Sequence, residues 1–88
     1  MSKLFACAIR DDAVQAFNRP FFVPSLGLAV RSFEDEARRN SPDNPMLNHA
    51  KDFSLYHLGF FDDVLGSFES LDIPLRLCDA VSVTFTEP

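Results

Sequence analysis

Residues 18–33, NRPFFVPSLGLAVRSF, constrain the fold of this chain more than any other segment. Pro20 and Pro24 bracket three apolar residues at positions 21–23. A proline has no amide N–H to give to a sheet, and it pushes the residue before it toward extended geometry. The three residues are therefore predicted to form a short edge strand or a pinned loop, because neither needs a full set of sheet hydrogen bonds.

Ser25 begins the strongest helical pattern in the sequence. Serine is a preferred N-cap residue, since its hydroxyl accepts a hydrogen bond from a free amide of the first turn. Four apolar residues then recur at spacings of four, three and four: Leu26, Val30, Phe33 and Ala37. These spacings place them on one face of a helix. The pattern predicts an amphipathic helix over residues 25–40.

Strand patterns flank this helix. Residues 4–9 form a short apolar run that predicts a strand, and residues 53–71 predict a hairpin whose connection ends on Gly66. Strict alternation in the first arm of the hairpin places Tyr56, Leu58 and Phe60 on one face, and Phe61 on the other. Residues 75–84 alternate weakly and predict a last strand, with a helical turn in the first half as the alternative. Residues 12–17 predict a helical turn capped by an aspartate, and residues 41–50 a loop.

Together these patterns predict an α+β fold. We expect a small antiparallel sheet of about three to four strands, with one main amphipathic helix packed on one face. A chain of 88 residues is expected to form a single domain, residues 1–88. Ten phenylalanines are many for a core of this size, so we expect some of them on a surface that meets a ligand or a second copy. The second alternative predicts a homo-oligomer, a dimer or larger.

The charge balance limits the partners. Eight basic and 13 acidic residues give a net charge of −5, which argues against diffuse binding to phosphate backbones but leaves a local basic face open. Cys7 and Cys78 lack the spacing of a redox or metal motif and predict free thiols of a reducing cytoplasm. We find no signal-peptide pattern and no apolar run long enough for a membrane span, so no membrane partner is expected.

The sequence predicts no enzyme. It has no nucleophile elbow, no HExxH motif and no glycine-rich phosphate loop. Asp62 and Asp63 with His49 or His57 could form a metal corner, but adjacent aspartates before a glycine are more typical of a turn. We therefore predict no catalytic residue, no metal site and no cofactor.

Rings beside basic residues are typical of proteins that bind single-stranded nucleic acid, because rings stack on bases while Arg and Lys hold phosphates. The predicted DNA-contacting residues are Arg10, Arg19, Phe22, Arg31, Lys51, Tyr56, Phe60 and Arg76. The basic residues are predicted to contact phosphate and the rings to stack on bases. The residues alone leave open an alternative in which the rings belong to the core and the basic side chains are simply solvated.

Two stretches carry a family resemblance: RDDAVQAFNRPFFVPSLGLAVRSF at residues 10–33 and DFSLYHLGFFDD at residues 52–63. The second is similar to a family string that reads D-[FY]-x-L-[FY]-x-[LI]-G-x-[FY]-D. Over roughly residues 3–80 the chain resembles the small nonstructural DNA-binding protein of microviruses, the single-stranded DNA phages, in the gokushovirus branch. A GSFE turn and strand at residues 66–69 belongs to the same resemblance.

The resemblance implies a nonstructural phage protein in the cytoplasm of the bacterial host. It implies binding to phage DNA, single-stranded and also double-stranded, and a role in the switch to single-stranded genome synthesis and packaging. It implies no catalytic residue. The alternative is a protein–protein interaction module that recruits phage or host replication or packaging proteins with little direct DNA contact. A third hypothesis is a host-directed regulator.

Overall fold

The chain is described here from a computed structural model, which covers residues 3–84 and their side chains as far as residue 82. Five strands form one antiparallel sheet: β1 (Lys3–Asp11), β2 (Ala16–Phe17), β3 (Phe21–Val23), β4 (Phe53–Asp62) and β5 (Ser67–Asp79). The helices are α1 (Leu26–Arg38), α2 (Pro45–Asn48) and α3 (Ala80–Thr84), with a short 3₁₀ helix at Ala50–Asp52. The predicted α+β class is confirmed at this level, and the described sheet has five strands where about three to four were expected.

Strand β1 is central to the sheet. It pairs with β4 along its whole length on one side, and with β2 and β3 at different heights on the other. Strand β5 pairs with β4 and forms the opposite edge. The short proline-bracketed segment is therefore an edge strand, as one of its two predicted alternatives required.

Helix α1 packs on one face of the sheet. The Ser25 hydroxyl accepts a hydrogen bond from the Leu28 amide at 3.3 Å, so the predicted N-cap is present. Three helix residues are buried against core residues of the sheet: Ala29, Phe33 and Ala37. The predicted apolar stripe thus points inward, with Leu26 and Val30 partly buried at its rim.

Residues 41–50, predicted to be a loop, contain the short helix α2, and the buried side chain of Asn44 is the reason. The Asn44 side chain accepts a hydrogen bond from the Met46 amide at 3.1 Å, which caps α2, and Pro45 follows at a helix position that needs no amide. The Asn44 side-chain nitrogen Nδ2 donates to the carbonyl oxygens of Glu36 and Arg39 at 2.7 and 2.9 Å. Asn44 therefore satisfies the free end of α1 and starts α2.

Two further segments differ from the predictions. Residues 12–15 form a turn that leads into β2, with Gln15 at a φ of 57°, instead of a helical turn. The predicted last strand over residues 75–84 is instead the second half of β5 followed by α3. The cause is Asp79, whose carboxylate accepts a hydrogen bond from the Ser82 amide at 2.8 Å and so caps α3.

Irregular pairing bends the sheet. Ala6 pairs with Gly59 and Cys7 with His57, so Leu58 is an extra residue in β4. Against the same place in β4, residues 71–74 of β5 are also unpaired. The His57 ring nitrogen Nε2 lies 3.0 Å from the Gly59 carbonyl oxygen and spans the bulge. Bulges increase local twist and bend a strand, which produces a curled sheet.

Candidate nucleic-acid interface

The sheet has one face that the described helices leave uncovered, and we call it the open face. The helices α1, α2 and α3 and the 3₁₀ helix contact one another and form one layer on the other face. Side chains of directly paired residues share a face of a sheet. The ladder pairing therefore assigns these residues to the open face: Leu4, Ala6, Ala8, Arg10, Phe17, Phe22, Ser54, Tyr56, Gly59, Phe61, Phe68, Ser70, Arg76 and Asp79.

Three phenylalanines on the open face form a cluster that we call the aromatic triad. The ring centroids are 5.4 Å apart for Phe22 and Phe61, 4.9 Å for Phe61 and Phe68, and 6.2 Å for Phe22 and Phe68. Phe22 is 42% exposed and Phe68 70% exposed. The triad therefore presents accessible ring surface while its members support one another.

A second ring pair lies farther along β4. The rings of Tyr56 and Phe17 meet edge to face, with centroids 5.2 Å apart and an angle of 87°. The Arg10 guanidinium lies 5.3 Å from the centroid of the Phe17 ring, and its Nε bonds the Asp12 carboxylate at 2.9 Å. A cation over an aromatic face is stabilised by the ring quadrupole. This part of the open face thus combines rings with a positioned arginine.

Arg76 lies beside this ring pair, because it is directly opposite Tyr56 in the ladder. Its guanidinium donates to the Ser54 hydroxyl at 3.1 Å and to the Asp79 carboxylate at 3.2 Å. Hydrogen bonds from the backbone and hydroxyl of Ser82, and then the Arg76 charge, hold the pKa of Asp79 below its usual value. The carboxylate is therefore ionised at neutral pH and keeps the guanidinium in place.

Arg19 differs from the two arginines above. It lies in the connection between β2 and β3, is exposed, and forms no ion pair with any residue that the structure describes. Phe22 of the aromatic triad follows three residues later in the sequence. Arg19 is thus an available positive charge at the edge of the open face.

Three other predicted contact residues lie away from the open face. Arg31 is exposed on α1, and Lys51 is exposed on the 3₁₀ helix, both in the helical layer. The Phe60 ring packs at 5.1 Å from His57 and 5.2 Å from Phe5, on the face that α1 covers. The structure places Arg10, Phe22, Tyr56 and Arg76 on the open face, with Arg19 at its edge, whereas Arg31 and Lys51 lie in the helical layer and Phe60 lies on the opposite face of the sheet.

Sequence reasoning missed three rings of the open face: Phe17, Phe61 and Phe68. The miss at Phe61 follows from the bulge at Leu58, because one extra residue reverses the alternation of every later side chain in β4. Phe61 joins Tyr56 on the open face, and Phe60 lies on the opposite face with Phe5 and His57. A signal was present, since a glycine inside a strand pattern often marks a bulge, and Gly59 is such a residue.

Two kinds of reactive side chain bear on possible chemistry, the potential metal ligands and the two thiols. Within residues 3–82, no three His, Cys, Asp or Glu side chains converge in a way that could hold a metal ion. Burial raises the pKa of the Cys7 thiol. Burial, and then the Glu34 and Asp79 carboxylates, raise the pKa of Cys78 to about 11. Both thiols are therefore protonated at neutral pH, and a protonated thiol is a poor nucleophile.

No helix between residues 3 and 84 has the length and apolar character that crossing a bilayer requires. The fold and the open face define a small α+β protein whose sheet exposes clustered rings on one side. Comparison with protein-family models matches residues 4–83 to the phage ORF5 protein family, and the chain belongs to that family. The expected phage origin is thereby supported. Comparisons with curated proteins and with solved structures give no match.

Proposed function

We propose that this phage protein binds single-stranded DNA on the open face and has no enzymatic activity. The observation that supports the proposal is the presence of two ring clusters on one uncovered sheet face, with Arg10 over the Phe17 ring of one cluster and exposed Arg19 three residues before Phe22 of the other. Every base has a π-face, so exposed rings bind single strands by stacking, with little dependence on sequence. The proposed role is support of the switch to single-stranded genome synthesis and packaging in the host cytoplasm.

The spacing of the two clusters suits an extended strand. Phe61 and Tyr56 are separated by four regular ladder steps and one bulge residue along β4, which is about 13 Å. A single strand can cover this length with a few nucleotides, so that one base stacks at each cluster. Arg19, which has no ion pair among the described residues, then supplies a positive charge for a phosphate, and Arg10 and Arg76, which pair with Asp12 and Asp79, supply further guanidinium donors.

The negative net charge of the chain supports a preference for single-stranded over double-stranded DNA. A net charge of −5 gives little general attraction to a duplex, whose bases are stacked and hidden. Stacking on exposed rings requires unpaired bases. Single strands should therefore bind better than duplexes of the same length.

A fluorescence-anisotropy titration tests this proposal directly. Labelled single-stranded and double-stranded oligonucleotides are titrated with the protein across a series of salt concentrations. Three phosphate contacts predict that log K for the single strand falls with log salt at a slope of about −2. Absence of single-strand binding at low salt and tens of micromolar protein would overturn the proposal.

A second candidate function is a protein–protein interaction module, which includes the expected homo-oligomer. Among the described residues, five of the eight large apolar side chains that are exposed belong to the β4–β5 hairpin: Val64, Leu65, Phe68, Ile73 and Leu75. Exposed apolar residues concentrated in one region favour a protein partner. Light scattering at high concentration measures self-association, and a mass near 10 kDa would exclude the oligomer.

A further inference from the structure

Ala8 of β1 lies on the open face and is nevertheless fully buried. Among the described residues it lies outside the core cluster that contains its neighbour Cys7, so its cover comes from the open face itself. Its direct partner in the β1–β4 ladder is Tyr56. On the other side of β1, Phe17 of β2 is opposite Arg10, two positions along the strand from Ala8. Aromatic residues therefore flank Ala8 from both neighbouring strands.

The rings of Phe17 and Tyr56 meet across β1. Neighbouring strands are about 4.8 Å apart, so the backbones of β2 and β4 are separated by about 10 Å with β1 between them. The two ring centroids are only 5.2 Å apart, with an angle of 87° between the planes. Both rings must therefore lean over β1, and the small side chain of Ala8 leaves room for them. An edge-to-face pair attracts beyond the burial of apolar area, because the ring edge is positive and the ring face negative.

Phe17 has a fixed position of its own. Its strand β2 pairs with β1 at Arg10, and the amide of the next residue, Asn18, donates to the Ile9 carbonyl oxygen at 2.7 Å. The Arg10 guanidinium lies over the Phe17 ring at 5.3 Å from the centroid. Arg10 is held in turn by the Asp12 carboxylate at 2.9 Å. Contacts to β1 therefore orient the Phe17 ring independently of Tyr56.

We propose that Phe17 and Ala8 are positioning residues for Tyr56, an inference that rests on the proposed function. Phe17 holds the Tyr56 ring in the orientation in which it meets the DNA strand, and Ala8 leaves the space that this orientation needs. Ordering of a side chain at an interface costs free energy, and a ring that is already held loses less freedom when the strand binds. Phe17 therefore contributes to affinity through Tyr56, without a DNA contact of its own.

The tyrosine signal of the DNA-free protein tests the ring arrangement. Tyr56 is the one tyrosine of the chain and there is no tryptophan, so the tyrosine band in near-ultraviolet circular dichroism reports a single ring. Phe17→Leu should weaken this band, and so should Ala8→Val, which adds two methyl groups beneath the rings. Phe68→Leu is the matched control, because it changes a 70% exposed ring of the aromatic triad and should leave the band unchanged. Far-ultraviolet circular dichroism checks that each variant is folded.

A double-mutant cycle on DNA affinity separates positioning from direct contact. Anisotropy titration with a labelled deoxythymidine oligomer compares Phe17→Leu in the wild-type protein and in Tyr56→Ala. Phe17→Leu should lower the affinity of the wild type by about 2- to 10-fold, the worth of one aromatic pair. In Tyr56→Ala it should change affinity by less than about twofold, since no ring remains to be held. Phe68→Leu, at the other cluster, should lower affinity by the same factor in both backgrounds.

Three results would overturn the positioning role while DNA binding stands. An equal loss from Phe17→Leu in both backgrounds would mean that Phe17 contacts the strand itself. An unchanged affinity in the wild-type background would mean that Phe17 has no part in binding. A tyrosine band that is unchanged in both Phe17→Leu and Ala8→Val would mean that neither residue orients Tyr56. If the wild type does not bind the oligomer, the proposed function fails, whereas the tyrosine band still decides the ring arrangement.

Discussion

The two faces of the sheet use phenylalanine in opposite ways. On the helix-covered face Phe33 of α1 is 1% exposed and Phe53 of β4 is 6% exposed, and both belong to the core. On the open face Phe22 and Phe68 keep 42% and 70% of their surface in contact with solvent. Burial of a ring stabilises the fold, whereas an exposed ring adds little to it. The comparison teaches that the ring excess of this chain has two causes, a small core and an uncovered surface.

Substitution of one ring from each face gives the largest expected contrast. Phe33→Ala should lower the free energy of unfolding by about 3–5 kcal/mol, because it leaves a cavity under α1. Phe68→Ala should lower it by less than about 1 kcal/mol, since the side chain is mostly exposed. Urea denaturation followed by circular dichroism measures both. Equal losses in the two variants would mean that the open face is part of the stabilising core.

Tyr56 should give the next largest effect, on binding instead of stability. Tyr56→Ala should weaken single-strand binding by about 1–3 kcal/mol, the range expected for loss of one stacked base. Leu28→Ala, a change of an exposed apolar residue on α1, should leave affinity unchanged. Anisotropy titration compares the two variants with the wild type. A similar loss from both substitutions would remove the distinction between the faces.

Substitution of Asp79 tests the N-cap of α3, which directly follows β5. Asp79→Ala should lower the free energy of unfolding by about 0.5–2 kcal/mol, as for loss of a helix N-cap. The folded state holds the pKa of this carboxyl below its usual 3.8. Its stabilisation is therefore full above a pH of about 5 and is lost as the pH falls through 3.8 and then the folded pKa.

The difference in unfolding free energy between the wild type and Asp79→Ala should accordingly be constant above about pH 5 and shrink as the pH falls from about 5 to 3. Urea denaturation of both proteins at a series of pH values measures it. A difference that stays constant over this range would show that the charge of the Asp79 carboxylate does not contribute to stability.

Substitutions of Arg19 and Arg31 should give the smallest effects on DNA binding, and they test on which face of the protein the strand lies. Both are exposed and neither forms an ion pair with a described residue, but Arg19 borders the open face and Arg31 lies on α1. Arg19→Ala should make the salt slope of single-strand binding shallower by about 0.7, the amount of one phosphate contact. Arg31→Ala should leave the slope unchanged. A shallower slope for Arg31→Ala and an unchanged slope for Arg19→Ala would indicate that the DNA binds to the helical layer.

Local signals explain which parts of the fold could be predicted. The cap at Ser25 and the apolar stripe that follows act within one helix, so α1 was predictable to within two residues at its end. Gly66 has a φ of 69°, as the hairpin connection required. The cap at Asp79 is also local, but the weak alternation of residues 75–84 favours a strand and hides it.

The open face could not be predicted in full because it depends on long-range register. The bulge at Leu58 arises where β1, β4 and β5 are aligned together, and it decides whether Phe60 or Phe61 shares a face with Tyr56. Which arginines border that face depends in turn on the side that α1 covers. A one-dimensional pattern of rings and charges contains neither fact, so it grouped Arg31 and Lys51 with residues on the other side of the sheet.

Intrinsic fluorescence provides the most direct test of the open face as the DNA-binding surface. The chain has one tyrosine, Tyr56, and no tryptophan, so its emission above that of phenylalanine comes from one position on that face. Titration with an unlabelled single-stranded oligonucleotide should quench this emission saturably, and added salt should restore it as the strand dissociates. Unchanged Tyr56 emission under conditions where anisotropy reports bound DNA would contradict the account, because the strand would then lie elsewhere on the protein.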